Sequence, residues 1–391
     1  MRAATLDGST FLGTISEIAG SVARPAADIV DREARFPSEA CDALRAASAL
    51  SAHVSPAFGG GGVAFEEVAS ACFELSRACA ATGMVYAMHQ IQVGCIARHG
   101  AGTPFFDEYL GALCEEQRLL ASATSEIGVG GDLRRSIAAV VPDGDGCLLE
   151  KSGPTVSYAD HADDFLITAR RSADADASDQ VLVLAARGET TLEQTSSWDA
   201  LGMRGTCSPG FSVTARFPAD HVLPTPFGEI AAQTMVPYSH ILWSHVWLGI
   251  AVDAYDRARA FVRNQAKGSI GSLPPTATRL SSLAALLHAM RAEIVANTAE
   301  YARLCENGEA ADELASIGYA LRINNLKINA SEMAPRICVD ALGICGMAGY
   351  KNDTPFSVGR HLRDALSGAL MIANDRIHAT NAALLLVHKP R

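Results

Sequence analysis

The chain has 391 residues, 49% of them hydrophobic, and a formal net charge of −11. This length predicts two or three domains with a sizeable core, while the acidic balance without basic clusters argues against a nucleic-acid partner. The most apolar long run, residues 240–252, is too short and too polar to span a bilayer. Ten scattered cysteines without a CxxC pair, and no apolar signal core at the start, predict a cytoplasmic protein with reduced thiols and no metal site.

Residues 1–118 are predicted to form an N-terminal helical domain. Helix start signals stand at Pro37, Ser38 and Glu39, at the beginning of the segment 36–50. A glycine-rich loop, SPAFGGGG (55–62), separates it from the segment 65–100, where apolar residues recur at helical spacing. We expect one long helix there with a single apolar face.

Residues 119–228 change character and predict a small antiparallel β-domain, a barrel or a sandwich. Short apolar or β-branched runs are separated by turn residues such as PDGDG (142–146). Several short strands at close spacing are typical of such domains. The predicted strands are 119–124, 136–141, 155–159, 165–170, 180–186 and 211–217.

Residues 229–391 return to long helical segments and predict a C-terminal four-helix bundle. The first three helices are expected over 238–266, over 278–308 (closed by Asn307 and Gly308) and over 312–344. The last is expected to run from about Ser357 to about Leu386. The fold class is therefore α+β, mainly α, in the order helical domain, β-domain, helix bundle.

Four motifs in this α–β–α order resemble the acyl-CoA dehydrogenase family. They are SPAFGGGG, TSEIGVGGD (124–132), LGMRGTCSPGFSV (201–213) and DALGICGMAGY (340–350), and the likeness extends over about residues 10–388. The resemblance implies FAD bound between the β-domain and the bundle. It also implies oxidation of acyl thioesters to enoyl thioesters, and a homo-oligomer, either a dimer or the homotetramer that is common in the family.

The resemblance assigns cofactor contacts residue by residue. Ser125 takes the place of a threonine beside the flavin ring, Thr155 replaces a stacking tryptophan, and Ser157 keeps the hydroxyl near flavin N5. Arg263 resembles an arginine that reaches FAD across a subunit interface. The complete set of implied cofactor-binding residues is Ser122, Thr124, Ser125, Gly130, Gly131, Thr155, Ser157, Arg263, Gly343, Gly346 and Asn374.

The catalytic glutamate of the family has no counterpart in this sequence. Counting from Arg363 and Asp364 places Ile372 at the glutamate position, and the alternative position on the first bundle helix is about Ser239. Dehydrogenation needs a base within hydrogen-bond reach of the α-proton, and neither residue can act as one. The candidates that remain are His89, expected to face the substrate pocket, and Asp375, one helical turn beyond Ile372.

Three functions are compatible with these residues. The first is an acyl-thioester dehydrogenase, acting on CoA or carrier-protein substrates with a non-standard base and passing electrons to an electron-transfer flavoprotein. The second is a monooxygenase of the same fold that uses reduced flavin, O₂ and a flavin reductase, which fits a missing glutamate and the resemblance of LGIA (248–251) to dibenzothiophene-type enzymes. A histidine is common near position 371 in those enzymes, and Met371 stands there instead. The third is a catalytically idle binding subunit.

Overall fold

The computed structural model describes residues 8–267, 273–306 and 310–389. Helices fill its first third, in the order α1 (Gly8–Ile18), α2 (Arg24–Glu33), α3 (Ser38–Ala46), α4 (Phe65–Ala78), α5 (Ala80–His99) and α6 (Pro104–Glu116). The segment 65–100, predicted as one helix, is divided at Cys79, whose extended backbone separates α4 from α5. Glu67 caps α4, because its carboxylate accepts the backbone N–H of Ala64 at 3.1 Å.

Strands fill the middle of the chain and form two sheets. They are β1 (Leu120–Ala123), β2 (Val141–Asp143), β3 (Gly146–Gly153), β4 (Asp164–Arg170), β5 (Gln180–Ala186), β6 (Thr190–Gln194) and β7 (Phe211–Phe217). One sheet has the order β1-β4-β5 and the other the order β2-β3-β7-β6. The β1–β4 pair is parallel, so the prediction of a purely antiparallel domain is wrong at that pair. Lys151 on β3 links the two sheets by donating to the carbonyl of Thr168 on β4 at 2.7 Å.

Two of the predicted strands need correction, and two observed strands were not predicted. Residues 155–159, predicted as a strand, form a turn that leads into the short 3₁₀ helix Ala159–His161, and Tyr158 in it has a left-handed backbone (φ 42°). The segment 136–141 contributes only an isolated bridge at Ala139 and the first residue of β2. β3 escaped prediction because Lys151 occupies a buried position and hides the apolar alternation, and β6 because it is a polar edge strand.

The last part of the chain is helical, as predicted, but its fourth long helix is broken. The helices are α7 (Phe227–Ile230), α8 (Val236–Lys267), α9 (Ala277–Glu306), α10 (Ala310–Leu314), α11 (Ile317–Cys345), α12 (Met347–Tyr350), α13 (Gly359–Leu366) and α14 (Asn374–Val387). Residues 367–373 interrupt the predicted helix between α13 and α14, and are called here the α13–α14 turn. The predicted helix end at Asn307 and Gly308 lies outside the described residues.

One hydrophobic core joins the helical and strand regions, and α8 lies buried within it over most of its length. A buried polar cluster fixes α13 against α8. Asp253 on α8 accepts hydrogen bonds from His361 at 2.7 Å, Arg24 at 2.9 Å and Arg257 at 2.9 Å. Burial disfavours the charged carboxylate, but these donors outweigh it and hold the pKa of Asp253 well below its usual range. The start of the α13–α14 turn is therefore anchored to the bundle.

Candidate functional site

A glycine loop after β1 has the backbone of an anion-binding corner. Gly128, Gly130 and Gly131 all have left-handed backbones, with φ of 95°, 61° and 78°. Residues with side chains adopt this region only at a cost, which explains glycine at these positions. Backbone N–H groups in such turns can converge on a negatively charged group.

The guanidinium of Arg376, in the first turn of α14, lies over this glycine loop. A Cβ built on Gly130 would be 3.2 Å from Nη2 of Arg376, and one built on Gly131 would be 3.3 Å from its Cζ. Arg376 is exposed, and no described carboxylate forms an ion pair with it. An unpaired cation above a loop of amides suits an anionic ligand such as a phosphate.

A row of hydroxyl groups continues from the glycine loop. Ser125 donates to the carbonyl of Thr155 at 2.7 Å, and Ser122 donates to Thr124 at 3.4 Å. Ser157 is half-buried, and its oxygen accepts the hydroxyl of Ser208 at 2.8 Å. The proton of Ser157 is therefore free to be donated to a ligand.

Ser208 was not predicted as a site residue, although the sequence offered a signal in the RGTCSPG loop. Thr206 lies 2.9 Å from Ser208 and donates to the carbonyl of Met203 at 2.9 Å. Both Thr206 and Ser208 are buried, so they fix the direction of the Ser157 hydroxyl. Four of the implied cofactor residues thus share one edge of the β-domain with the glycine loop: Ser122, Thr124, Ser125 and Ser157.

The α13–α14 turn, SGALMIA, carries no ionisable side chain. Ile372 lies in it with a left-handed backbone (φ 54°) and a side chain that is 39% exposed. Gly368 packs against α8, since a Cβ there would be 3.1 Å from the ring of Trp247. Ser239, the alternative base position, is buried and donates to the carbonyl of Met235. Neither Ile372 nor Ser239 can take up a proton at neutral pH.

Asn374 points into the bundle, which corrects its assignment as a cofactor-binding side chain. Its Oδ1 accepts from Lys327 at 2.6 Å and from Ser331 at 3.3 Å, and its Nδ2 donates to Glu332 at 3.1 Å. The amide is buried and its hydrogen-bonding capacity is used within the protein. Lys327 was missed because lysine is seldom fully buried, although its apolar neighbours Leu326 and Ile328 indicated a core position.

His89 is a core residue, which corrects its assignment as a catalytic group. It is fully buried, its Nε2 lies 2.8 Å from the carbonyl of Leu50, and its Nδ1 accepts the backbone N–H of Leu120 at 3.1 Å. Both ring nitrogens are engaged by the backbone, and burial lowers its pKa to about 4. His89 thus joins the N-terminal helices to β1 in its neutral form.

The remaining predicted site residues either lie apart from the glycine loop or face solvent. Asp375 is exposed in the first turn of α14, and Arg263 is exposed near the end of α8. The carbonyl of Gly343 accepts the guanidinium of Arg279 at 2.9 Å within the same chain. Gly346 ends α11 with φ 56° and has open space where a Cβ would be.

Comparisons with known proteins agree with this architecture. The model of the acyl-CoA dehydrogenase N-terminal domain matches residues 7–114, and that of the C-terminal domain matches residues 228–381. The probable acyl-CoA dehydrogenase fadE25 of Mycobacterium leprae is 26% identical over 360 residues, covering 90% of this chain and 88% of that protein.

Two solved structures share the fold. FMN-bound TdsC from Paenibacillus sp. A11-2 has a TM-score of 0.82 at 21% identity, covering 97% of this chain and 98% of that one. KijD3 in complex with FMN and a dTDP-linked amino-keto sugar has a TM-score of 0.84 at 24% identity, covering 98% and 94%.

The chain belongs to the acyl-CoA dehydrogenase family, whose members are flavin-dependent oxidoreductases. The predicted fold, a mainly helical α+β chain with a small sheet region, is confirmed. No described helix combines the length and the apolar character that crossing a bilayer requires.

Proposed function

We propose that this protein is an FAD-dependent oxidoreductase that acts on an acyl thioester, bound either to CoA or to a carrier protein. The observation that carries the cofactor assignment is the unpaired guanidinium of Arg376 above Gly130 and Gly131. A diphosphate fits this corner, because its oxygens accept hydrogen bonds from both amides and guanidinium groups. The thioester is proposed from the similarity to a probable acyl-CoA dehydrogenase over 90% of the chain.

Different residues would hold different parts of the cofactor. Gly130, Gly131 and Arg376 would hold the diphosphate, while Ser125 and Thr155 would line the ring. Ser157, oriented by Ser208, would donate its free proton to a ring acceptor. Bound flavin supplies a hydride acceptor, and the protein supplies the positions and the proton transfers.

A second copy of the chain would complete the site in a homo-oligomer, a dimer or a tetramer. Arg263 is exposed on α8, and Gly346 presents an open left-handed turn at the end of α11. These residues and Gly343 are proposed to meet the cofactor of a neighbouring subunit. The exposed apolar side chains of Met347 and Tyr350, beside Gly346, support burial of this surface in an assembly.

The base for dehydrogenation is proposed to be Asp375. It is the first carboxylate that follows Ile372, and it lies at the start of α14 beside Arg376. Its side chain is shorter than a glutamate and begins one helical turn further along. We therefore expect slow turnover of ordinary straight-chain acyl-CoA substrates.

A flavin-dependent monooxygenase is the second candidate, and one observation favours it. The sequence resemblance places Ile372 at the position of the family's carboxylate, and this apolar residue is 39% exposed in the α13–α14 turn. A reaction of reduced flavin with O₂ removes no α-proton, so an apolar residue there is no obstacle. The partner would then be a flavin reductase, whereas the dehydrogenase would need an electron-transfer flavoprotein.

One experiment with two arms separates these functions. In the first, FAD-loaded protein is mixed without oxygen with a panel of acyl-CoA substrates, and loss of the visible flavin absorbance supports dehydrogenation. In the second, NADH-reduced flavin and O₂ are supplied, and transfer of oxygen to the substrate supports the monooxygenase. If both arms are negative while FAD stays bound, the enzyme proposal is wrong and a binding subunit is supported.

A further inference from the structure

Lys327 is a buried cation placed directly behind the α13–α14 turn. It lies on α11 with no exposed surface, between the buried Leu326 and Ile328. Its ammonium donates to the carbonyl of Ile372 at 2.7 Å and to Oδ1 of Asn374 at 2.6 Å. Its nitrogen also lies 5.8 Å from the centre of the Trp247 ring. A single side chain thus contacts both the end of the turn and the start of α14.

The ammonium has no direct counter-ion among the described residues. Burial lowers the pKa of Lys327 to about 8, and the charge of Glu332 only partly offsets this effect. A buried charge is costly unless hydrogen bonds compensate it. Here the compensation comes from the backbone of Ile372 and the amide of Asn374, so the charge and the shape of the turn depend on each other.

We propose that Lys327 is a positioning residue, which fixes the α13–α14 turn through Ile372 and Asn374 and so determines where residue 372 meets the ligand. The claim that residue 372 meets the ligand rests on the proposed function, which makes the turn part of the active site. The claim that Lys327 fixes the turn can be tested without flavin. Since residue 372 has a left-handed backbone, its carbonyl needs a fixed partner to hold that conformation.

A second polar link between the same helices provides a matched control. Asn324 on α11 donates to Asn381 on α14 at 2.8 Å, and Asn381 donates to Asn325 at 3.0 Å. Asn381 is buried, as Lys327 is, but it is neutral and does not touch the turn. Removing Asn381 therefore weakens the contact between α11 and α14 and leaves the turn alone.

The test is hydrogen exchange of the full-length chain, with and without FAD, in Lys327→Met and Asn381→Leu. Amides of the turn are protected by bonds such as Met371 N–H to the carbonyl of Ser367. Lys327→Met should raise exchange over residues 369–374 about tenfold, because two charge-assisted hydrogen bonds to Ile372 and Asn374 are lost. Asn381→Leu should raise exchange in α14 only. Unchanged turn exchange in Lys327→Met would overturn the proposal.

A pH series on the wild type gives a second test that needs no substitution. After correction for intrinsic exchange, protection of the turn should rise as the pH increases through 8, because opening hydrates the ammonium and returns the pKa of Lys327 from about 8 toward 10.5. The other titratable groups near Lys327 are His240 on α8, whose pKa burial lowers to about 3, Glu332 on α11 and Asp375 on α14. Protection that does not change between pH 7 and 9 would also overturn the proposal.

Failure of the proposed function gives a different pattern from failure of this inference. If no thioester reduces the flavin but turn exchange responds to Lys327→Met, the positioning holds and the assigned reaction is wrong. If a substrate does reduce the flavin, Lys327→Met should slow that step about 10- to 100-fold while FAD affinity stays near the wild-type value. Asn381→Leu should leave the rate of that step unchanged.

Discussion

The glycine loop (residues 128–131) and the α13–α14 turn (residues 367–373) lie far apart in the sequence and differ in chemistry. Arg376, in the first turn of α14, places an exposed, unpaired cation over the glycine loop. Ile372, four residues earlier, presents an apolar side chain, and its carbonyl accepts a hydrogen bond from the buried ammonium of Lys327. The loop is equipped to bind an anion, whereas the turn carries no group that takes up a proton.

This difference assigns cofactor binding and proton transfer to two separate regions of the chain. The loop keeps a hydrogen-bond donor beside its backbone amides, because the Arg376 guanidinium lies over Gly131. The α13–α14 turn, by contrast, carries no carboxylate. We therefore expect substitutions at the loop to change flavin affinity, and substitutions at the turn to change the reaction rate.

The largest expected effect comes from Ile372→Glu, which would remove the difference between the two regions. A positioned base typically contributes about 10²–10⁴-fold, so flavin reduction by a straight-chain acyl-CoA should accelerate by that factor. A glutamate is also less strained than a β-branched residue with a positive φ. Stopped-flow absorbance without oxygen provides the measurement.

Ile372→Gln is the control for this change, since it has the same shape without a base. Thermal unfolding with and without FAD shows whether each variant remains folded and loaded. A folded, flavin-bound Ile372→Glu that is no faster than Ile372→Gln would mean that the thioester does not bind beside the turn. The monooxygenase proposal would then take precedence.

The next effect is on cofactor affinity. Arg376→Ala removes charge-assisted hydrogen bonds, each worth about 1.5–3 kcal/mol, so the Kd for FAD should rise about 10- to 100-fold. Arg32→Ala removes an equally exposed arginine from α2 and should leave the Kd unchanged. Equal affinities of the two variants in a fluorescence titration would show that the glycine loop does not hold the diphosphate.

A smaller effect is expected at the hydroxyl row. Ser157→Ala should weaken flavin binding or reactivity by about 1–3 kcal/mol, because it removes one hydrogen bond to a buried ring. Ser152→Ala, on the exposed face of β3, serves as the comparison. If the two variants behave alike, Ser157 does not contact the cofactor.

The smallest effect is a pH dependence of stability that originates in Lys327. Its pKa is about 8 in the folded chain and 10.5 ordinarily, so between these values the unfolded state binds more protons. The cost of burying the charge is complete below pH 8 and declines as the pH rises toward 10.5. The wild type should therefore gain stability relative to Lys327→Met over this range in chemical unfolding. A constant difference would mean that folding does not lower the pKa of Lys327.

The fold could be predicted in outline because periodicity is strong in its long helices. The segments that became α8, α9 and α11 have apolar residues throughout, and their helical state did not depend on distant contacts. The break at residues 367–373 could not be seen, because Ala, Leu, Met and Ile all favour helices. It arises from tertiary packing of Gly368 against Trp247 and from the hold of Lys327 on Ile372.

The glycine loop of the site could be predicted from the sequence, because glycine indicates an unusual backbone conformation. Residues whose role depends on the direction of the side chain could not be predicted. Three glycines within four residues marked the anion-binding loop. The inward direction of Asn374 and the backbone partners of His89 depend on residues far along the chain, Lys327 and Leu50, so no local pattern reveals them. The sequence offered one weak indication for Arg376. A positive charge is unfavourable at a helix N-terminus, so an arginine in the first turn of a helix is more easily explained by a role outside the helix.

The most direct test of the central claim is a titration of the purified protein with FAD, followed by visible absorbance and by light scattering for mass. We expect a yellow homo-oligomer that binds one flavin per chain, with an affinity that depends on Arg376 above the glycine loop. A colourless monomer that takes up no FAD would contradict the account.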